Sequence, residues 1–276
     1  MLHRWREAGS EQKFRDEESI MISSVSQHYD SLLAEHYDWM FGAPFESKVA
    51  EQRKLLEEAG VKPNSGGLAI DLGCGSGFQS IALNDLGYRV LAIDSSEKLL
   101  GGLIERSRAR AIETIRGDIR ELSAFANGAS ADVVVCMGDT LTHLPHREEV
   151  SKLFHSVGSI LKPSGLFVVT YRDLAANELV GLDRFLPVRS DENRIMTCFL
   201  EYEGPNTVIV NDLVYLRSRD GQWSLNKSSY RKLRLAVTSV RDALATAGLS
   251  ITYQHSDRMV MLAAQKGAPP TAVPAR

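Results

Sequence analysis

Apolar and polar positions alternate in a regular rhythm between residues 68 and 173. Each of five short apolar runs is followed by polar or amphipathic sequence; the runs read LAIDLG, YRVLAID, AIETIRGD, DVVVCMG and GLFVVTYRD. Short strands that alternate with helical segments are typical of βαβ units. This part of the chain is therefore predicted to form a parallel sheet flanked by helices.

The rhythm changes after residue 173. Three extended segments follow, and turn signals at Gly204-Pro205-Asn206 and Asp220-Gly221 separate them; they read NRIMTCFLEYE, NTVIVNDLVYLRSR and QWSLNKSSYRKLRL. This pattern predicts an antiparallel meander, inserted as a cap over residues 175–235. A helix near residues 238–247 and two last strands complete the sheet. The predicted fold is α/β: a Rossmann-like, mostly parallel seven-stranded sheet with flanking helices, plus an antiparallel β-meander insertion after the fifth strand.

Two helical patterns precede the first strand, and we expect them to form lid helices over residues 21–60. The first twenty residues are heavily charged, and residues 267–276 are rich in proline and alanine. Both ends have little to bury, so we expect a mobile N-terminal arm at 1–20 and a disordered tail at 267–276. Residues 21–266 are predicted to form a single domain.

The composition excludes several classes of partner. The 276 residues have a formal net charge of −3, which provides no basic surface for nucleic acid or an anionic membrane. No apolar stretch approaches the roughly 20 residues of a membrane span, and the N-terminus lacks the apolar core of a secretory signal. Three widely spaced cysteines encode neither a disulfide framework nor a thiolate metal site. We expect a cytoplasmic protein with a small-molecule partner and no metal; the oligomeric state stays open, with a homodimer as one option.

The first predicted strand runs into a glycine-rich turn. DLGCGSG places Asp71 two residues before Gly73, with Gly75 and Gly77 at alternate positions. Such a turn lets the backbone approach a ligand where the strand ends. The dinucleotide fingerprint G-x-G-x-x-G would need glycine at position 78, which is Phe78. The acid and its three glycines instead resemble the class I S-adenosylmethionine-dependent methyltransferases.

The resemblance covers roughly residues 25–265 and implies S-adenosylmethionine as the cofactor. It implies that Asp94, at the end of the second strand, accepts hydrogen bonds from the ribose hydroxyls, with Ser95 beside it. It also implies that Asp118 faces the adenine amino group and that the backbone amide of Ile119 meets the ring. Each acid has a glutamate three residues later, so either one could instead begin a helix as a capping residue.

Further residues complete the implied cofactor site. Met137 and Gly138 follow the fourth strand and are expected beside the cofactor. Tyr29 and Tyr37 resemble aromatic residues that the family's N-terminal helix folds over the cofactor, where a ring face favours the sulfonium. Tyr37 is also a candidate catalytic residue. Packing alone would explain both tyrosines equally.

The layout is similar to that of the glycine N-methyltransferase group, in which an arginine after the fifth strand binds the acceptor's carboxylate. Arg172 occupies that position here, although the residues that follow it differ from the family pattern. A structural ion pair is the alternative role for Arg172. His143 could accept a proton from an amine or hydroxyl, or it could be a capping or surface group.

These features predict methyl transfer to a nitrogen or oxygen of a small polar metabolite, which carries a carboxylate if Arg172 binds it. The segment after the fourth strand, MGDTLTHLPH, contains no Asn-Pro-Pro-aromatic motif of nucleic-acid amino methyltransferases. Two alternatives stay open: an NAD(P)-dependent oxidoreductase, and an S-adenosylmethionine-binding regulatory protein without catalytic activity.

Overall fold

The computed structural model describes residues 22–128, 130–176 and 178–267. The predicted N-terminal arm, and the predicted tail beyond residue 267, lie outside these ranges. The strands of the described chain are β1 Leu68–Leu72, β2 Arg89–Asp94, β3 Ile112–Arg116, β4 Ala131–Cys136, β5 Leu161–Tyr171, β6 Phe185–Ser190, β7 Arg194–Glu203, β8 Thr207–Arg217, β9 Trp223–Leu233, β10 Leu249–Ser256 and β11 Val260–Lys266.

The helices flank these strands. They are α1 Val25–His28, α2 Ala34–Met40, α3 Phe45–Glu58, α4 Phe78–Asp85, α5 Glu97–Arg106, α6 Leu122–Phe125, α7 Arg147–Ile160 and α8 Val237–Thr246. A π-helical turn, Tyr29–Leu33, joins α1 to α2, and short 3₁₀ turns occur at Ile119–Glu121, Thr140–His143 and Gly181–Arg184. Among the described residues, no helix is both long and apolar enough to cross a membrane.

The central sheet has seven strands in the order β10-β11-β5-β4-β1-β2-β3. Its neighbours β4, β1, β2 and β3 are parallel, as are β4 and β5, whereas β11 is antiparallel to both β5 and β10. The strand order reverses at β1, with β2 and β3 on one side and β4 and β5 on the other, so the carboxyl ends of β1 and β4 border a crevice. The structure confirms the predicted fold class.

Alternate residues of the central strands pack against two separate helical layers. Ile70 and Leu72 of β1 join a core with residues of α6, α7 and α8. Ala69, on the opposite face of β1, joins a core with residues of α3, α4 and α5. Burial on both faces explains why the sequence of these strands is almost continuously apolar.

The predicted meander forms a second antiparallel sheet, β6-β7-β8-β9, which we call the cap sheet. The sequence predicts three strands in this insertion, and the structure adds a fourth, β6, at the edge. Pro187 lies within β6, and proline is tolerated in an edge strand because one side of such a strand needs no hydrogen-bond donor. Because of this proline, the sequence pattern does not indicate a strand here.

Residues 22–40, called the lid segment below, cross between the two sheets. Leu32 and Leu33 of this segment are buried against Met196 and Val214 of the cap sheet. Its first residues continue along β9, where the backbone N–H of Ser23 donates to the carbonyl of Ser229 over 2.9 Å. The lid segment therefore rests on the cap sheet while it faces the crevice of the central sheet.

Candidate active site

A cavity of about 690 Å³ lies between the carboxyl edge of the central sheet, the lid segment and the cap sheet. Its walls come from the glycine turn after β1, the ends of β2 and β3, the loop after β4, and β9. Of the residues predicted for a site, Tyr29, Tyr37, Gly73, Gly75, Asp94, Ser95, Asp118, Ile119 and His143 line this cavity. The topology thus gathers residues from distant parts of the sequence around one space.

The glycine turn brings backbone directly to the cavity wall. Gly73 and Gly75 line the cavity with φ values of +72° and +54°, a region that glycine adopts without strain. A Cβ atom on Gly73 would lie 2.3 Å from Cγ2 of Thr140, and one on Gly75 would lie 3.1 Å from the hydroxyl of Tyr37. These two glycines therefore permit close approach of the lid segment and the β4 loop to the turn.

Asp71 and Gly77 lie behind the cavity wall. Asp71 is 1% exposed, and the hydroxyl of Ser80 donates to its Oδ2 over 2.6 Å. Burial raises the pKa of Asp71 to about 7, although the hydrogen bond from Ser80 acts in the opposite direction. Gly77 begins α4 and packs on Leu103. Both residues support the glycine turn from the side opposite the cavity.

Asp94 places a carboxylate at the end of β2, on the cavity wall. Its Oδ2 accepts from the backbone N–H of Gly75 and its Oδ1 accepts from that of Ser96, both over 2.8 Å. Burial raises the pKa of Asp94, and these backbone hydrogen bonds oppose the shift. The residue that caps α5 is Ser96, not Asp94. The carboxylate is held by backbone donors and borders the space that a ribose would need.

Asp118 lines the cavity and also caps the turn after β3. Its carboxylate accepts from the backbone N–H of Arg120 over 2.9 Å and pairs with the Arg120 guanidinium. Burial alone would raise its pKa, but the hydrogen bonds from Arg120 outweigh burial and leave the pKa lowered. The capping role that the spacing suggested is therefore present, and the neighbouring Ile119 lies on the cavity wall.

Met137 and Gly138 do not line the cavity. Met137 is 4% exposed in the core beneath, and the N–H of Gly138 donates to the Thr170 hydroxyl over 2.7 Å. Thr140, two residues farther along the loop, reaches the cavity instead. The structure thus brings the β4 loop to the site through Thr140 and His143.

Four aromatic rings from the lid segment, the β4 loop and β9 meet beside the cavity, which Tyr29 and His143 line. The ring of His143 lies 5.7 Å from that of Tyr29 and 5.5 Å from that of Tyr230. His28 stacks on Tyr230 at 4.1 Å and hydrogen-bonds Asp212 of β8 over 3.0 Å. Nε2 of His143 is buried, and the described residues supply no hydrogen-bond partner for it. We call these four residues the ring cluster.

A buried ion pair adjoins the ring cluster. Nζ of Lys232, on β9, lies 2.9 Å from Oδ2 of Asp139, and their side chains are 8% and 15% exposed. Burial, followed by the positive charge of Lys232, lowers the pKa of His143 to about 3. His143 is therefore a neutral imidazole at neutral pH, able to donate one hydrogen bond and accept another.

Arg172 lies outside the cavity wall. Its backbone N–H donates to Oδ1 of Asp139 over 3.0 Å, and its Nε lies 3.6 Å from Oδ2. The side chain is 59% exposed. This contact corresponds to the structural ion pair that the sequence left as an alternative.

Comparisons with known proteins agree with this geometry. A family model described as a methyltransferase domain matches residues 69–165. The chain is 33% identical over 122 residues to the cypemycin N-terminal methyltransferase of Streptomyces sp, covering 44% of this chain and 49% of that protein. It is 29% identical over 154 residues to a glycine/sarcosine N-methyltransferase of Parasynechococcus marenigrum (strain WH8102), covering 55% and 50%. These alignments span about half the length of the curated relatives.

Two solved structures share the fold. The CcbJ methyltransferase from Streptomyces caelestis superposes with a TM-score of 0.71 at 21% identity, covering 87% of this chain and 98% of that chain. The S-adenosylmethionine-bound CalS10, an amino pentose methyltransferase from Micromonospora echinaspora, gives 0.67 at 16% identity, covering 84% and 95%. Residues 69–165 therefore match a methyltransferase domain, and the chain has the fold of S-adenosylmethionine-dependent methyltransferases.

The residues at the cavity suit the cofactor of this methyltransferase, S-adenosylmethionine. The glycine turn offers backbone without side chains, and the carboxylates of Asp94 and Asp118 offer hydrogen-bond acceptors to hydroxyl and amino groups. The carboxylate of Asp94 also suits a ligand that carries a sulfonium and an ammonium. Among residues 22–128, 130–176 and 178–267, no group of three His, Cys, Asp or Glu side chains could hold a metal ion.

Sequence reasoning missed several residues of this methyltransferase's cavity. Ser96, Thr140 and Lys232 line it or support it, and His28 lies in the ring cluster. Ser96 could have been predicted as a capping residue, because a serine just before a helical pattern is a common helix N-cap. Lys232 and His28 had none, since their role depends on contacts between elements far apart in the chain.

The burial of neutral His143 predicts a pH-dependent stability. Its pKa in the unfolded chain is about 6.5, and in the folded methyltransferase it is lowered to about 3. The stabilisation that depends on neutral His143 is therefore fully present when the pH is above the pKa of the unfolded chain. It is lost as the pH falls below that pKa. Between about pH 7 and about pH 5, we expect the wild type to lose about 2 kcal/mol more unfolding free energy than His143→Gln. Urea unfolding at several pH values tests this, and parallel curves for the two proteins would contradict it.

Proposed function

We propose that this methyltransferase transfers the methyl group of S-adenosylmethionine to a nitrogen or oxygen of a small polar metabolite. The observation that carries the proposal is a single cavity lined by the glycine turn, by Asp94 and Asp118, and by Tyr29 and His143 of the ring cluster. Its volume of about 690 Å³ lies within the about 300–1,000 Å³ usual for small-molecule sites. We assign the acid-lined part to the cofactor and the ring cluster to the acceptor.

Nitrogen is the favoured acceptor atom in this proposal. The two curated relatives are named for N-terminal and glycine/sarcosine N-methylation. The ring cluster is compatible with an amine, because neutral His143 and the hydroxyl of Tyr29 supply polar groups without a fixed charge. Burial holds the pKa of Tyr29 well above its ordinary value, so its hydroxyl stays protonated.

The chain's own residues would bind the cofactor and the acceptor, orient them and exclude water. The cofactor supplies an activated methyl group when bound. Asp94 and Asp118 would hold its nucleoside part, and Gly73 and Gly75 would border it with backbone. His143 would accept a hydrogen bond from the acceptor's N–H or O–H and direct its lone pair, without taking the proton in the transfer step. Because its pKa is so low, we propose that His143 orients the acceptor and that water receives the proton afterwards.

Tyr37 fits a cofactor role better than a catalytic one in this proposal. Its ring lies over the glycine turn, with the hydroxyl close to Gly75, and it packs on Phe78 at 6.3 Å. Arg172 has no part in the proposed acceptor site, because it is exposed and engaged with Asp139. The proposal therefore does not require the acceptor to carry a carboxylate.

A labelled-transfer assay tests the proposed function. The protein is incubated with isotopically labelled S-adenosylmethionine and either whole or desalted extract of the source cells, and the products are resolved by mass. We expect label in a low-mass product, and only with whole extract. Label in protein or RNA from the desalted fraction would overturn the acceptor class. Tight cofactor binding without any transfer would favour the regulatory alternative.

A further inference from the structure

The lid segment departs from regular helix at one turn. Its apolar pattern, from Val25 through Met40, is that of a continuous amphipathic helix. The structure instead contains the π-helical turn Tyr29–Leu33 between α1 and α2. Single π turns are rare and occur often at functional sites. The first two residues of this turn, Tyr29 and Asp30, make side-chain contacts outside the lid segment.

These two residues reach different parts of the cavity. Tyr29 enters the ring cluster, 5.7 Å from His143, and lines the cavity. The carboxylate of Asp30 instead accepts from the hydroxyl of Ser96 over 2.5 Å. The backbone carbonyl of Asp30 accepts from Nζ of Lys98, also over 2.5 Å. The turn thus connects the proposed acceptor site to the beginning of α5.

Ser96 continues the connection to the proposed cofactor site. It is 1% exposed, and its backbone N–H donates to Oδ1 of Asp94 over 2.8 Å. The other oxygen of Asp94 accepts from the N–H of Gly75 on the glycine turn. A chain of hydrogen bonds therefore runs from Asp30 through Ser96 and Asp94 to the glycine turn, across the front of the proposed ribose site.

The lid segment forms one wall of the cavity, through residues 22–26 with Tyr29 and Tyr37. The hydrogen bond between Asp30 and Ser96 joins this wall to the residue that donates to Asp94. Loosening of this contact would free the wall beside a ligand held at Asp94.

We propose that Asp30 is a positioning residue that fastens the lid segment over the cofactor through Ser96, and that this hydrogen bond breaks whenever S-adenosylhomocysteine leaves. The inference rests on the proposed cofactor site at Asp94 and not on the identity of the acceptor. The proposal also explains the π-helical turn, because this turn places Tyr29 beside the proposed acceptor site and Asp30 beside Ser96 near the proposed cofactor site.

The chain offers a matched control for this contact. Asp38, on α2, forms an ion pair with Arg106 at the end of α5 over 2.5 Å, with side chains 38% and 35% exposed. Like the contact between Asp30 and Ser96, this pair joins the lid segment to α5 or its cap, but it lies off the cavity wall. Loss of this partly exposed ion pair should affect release little, whereas loss of the Asp30 contact breaks the link to Asp94.

The test measures S-adenosylhomocysteine dissociation by surface plasmon resonance on the immobilised full chain. We expect Asp30→Ala and Ser96→Ala each to raise the dissociation rate about tenfold, the effect of one hydrogen bond to a charged group. The double variant should release the ligand no faster than the faster single variant, because both remove the same contact. Asp30→Asn keeps an acceptor oxygen and should restore slow release. Asp38→Ala should dissociate within about twofold of the wild type.

Different results would overturn the inference. The proposal would be rejected if Asp30→Ala released S-adenosylhomocysteine at the wild-type rate. It would also be rejected if Asp38→Ala raised the dissociation rate as much as Asp30→Ala, or if the effects of Asp30→Ala and Ser96→Ala were additive in the double variant. Thermal unfolding of every variant separates a local effect on release from a general loss of stability, since the proposal expects fast release from a folded Asp30→Ala protein. If the wild type fails to bind S-adenosylhomocysteine, the cofactor site itself is rejected, and this inference with it.

Discussion

Replacing Asp94 with alanine is expected to weaken S-adenosylhomocysteine binding about 10- to 100-fold, the usual effect of losing hydrogen bonds to a charged group. Two causes combine. The variant removes the carboxylate proposed to accept from the ribose, and it removes the acceptor that holds the N–H groups of Gly75 and Ser96. Both donors would then lack their protein acceptor. Isothermal titration calorimetry of the purified chain measures the affinity directly.

Two further variants separate these causes. Asp94→Asn keeps one oxygen acceptor for the turn but loses the charge, so its affinity should lie between those of the wild type and Asp94→Ala. Asp85→Ala serves as the control, because Asp85 pairs with Arg110 on the surface, away from the cavity. Affinity in Asp94→Ala equal to that of Asp85→Ala would count against the assignment of this cavity to the cofactor.

The parallel core could be predicted because its information is local. The apolar runs of β1, β2 and β4 are largely buried, and each is followed by a helix with its own apolar face. Strand, turn and helix signals therefore agree within a few residues of one another. The same holds for the long strands β7, β8 and β9, which Gly204 and Gly221 separate at tight turns.

Elements with weak local signals were missed. Strand β6 contains Pro187 and is mostly exposed at the edge, so it forms only because β7 offers a free edge for pairing. The π-helical turn is also invisible in an apolar pattern, because one extra residue in a helix barely changes the spacing of buried positions. Both features depend on tertiary contacts rather than on propensity.

The positions of Asp94 and Asp118 on the cavity wall could be predicted better than those of the proposed acceptor site. Asp94 and Asp118 follow strands directly, and parallel topology brings such positions to one edge. The proposed acceptor site combines Tyr29, His143 and Lys232, which are separated by more than half of the chain. Nothing in the neighbourhood of Lys232 shows that its partner is Asp139, so the buried pair could not be found from spacing.

Replacing Gly77 with alanine is expected to lower the free energy of unfolding by about 2–4 kcal/mol, from backbone strain and overpacking together. Gly77 has φ of +98°, and a Cβ atom there would lie 2.3 Å from Cδ1 and 3.1 Å from Cγ of Leu103. Leu103 is fully buried on α5, so it has no free space into which to rotate. Chemical denaturation followed by circular dichroism measures the loss.

Two comparisons separate backbone strain from steric overlap in this variant. Gly66 has φ of +82° with no atom within 4 Å of an added Cβ, so Gly66→Ala should cost only the strain, about 1–2 kcal/mol. Leu103→Ala removes the overlapping side chain, so adding Gly77→Ala to it should cost no more than Gly66→Ala does. If Gly77→Ala costs the same with and without Leu103, contact between α5 and the turn is not what requires glycine. The third glycine of the motif would then serve the backbone conformation alone, rather than the close packing of α5 on the glycine turn.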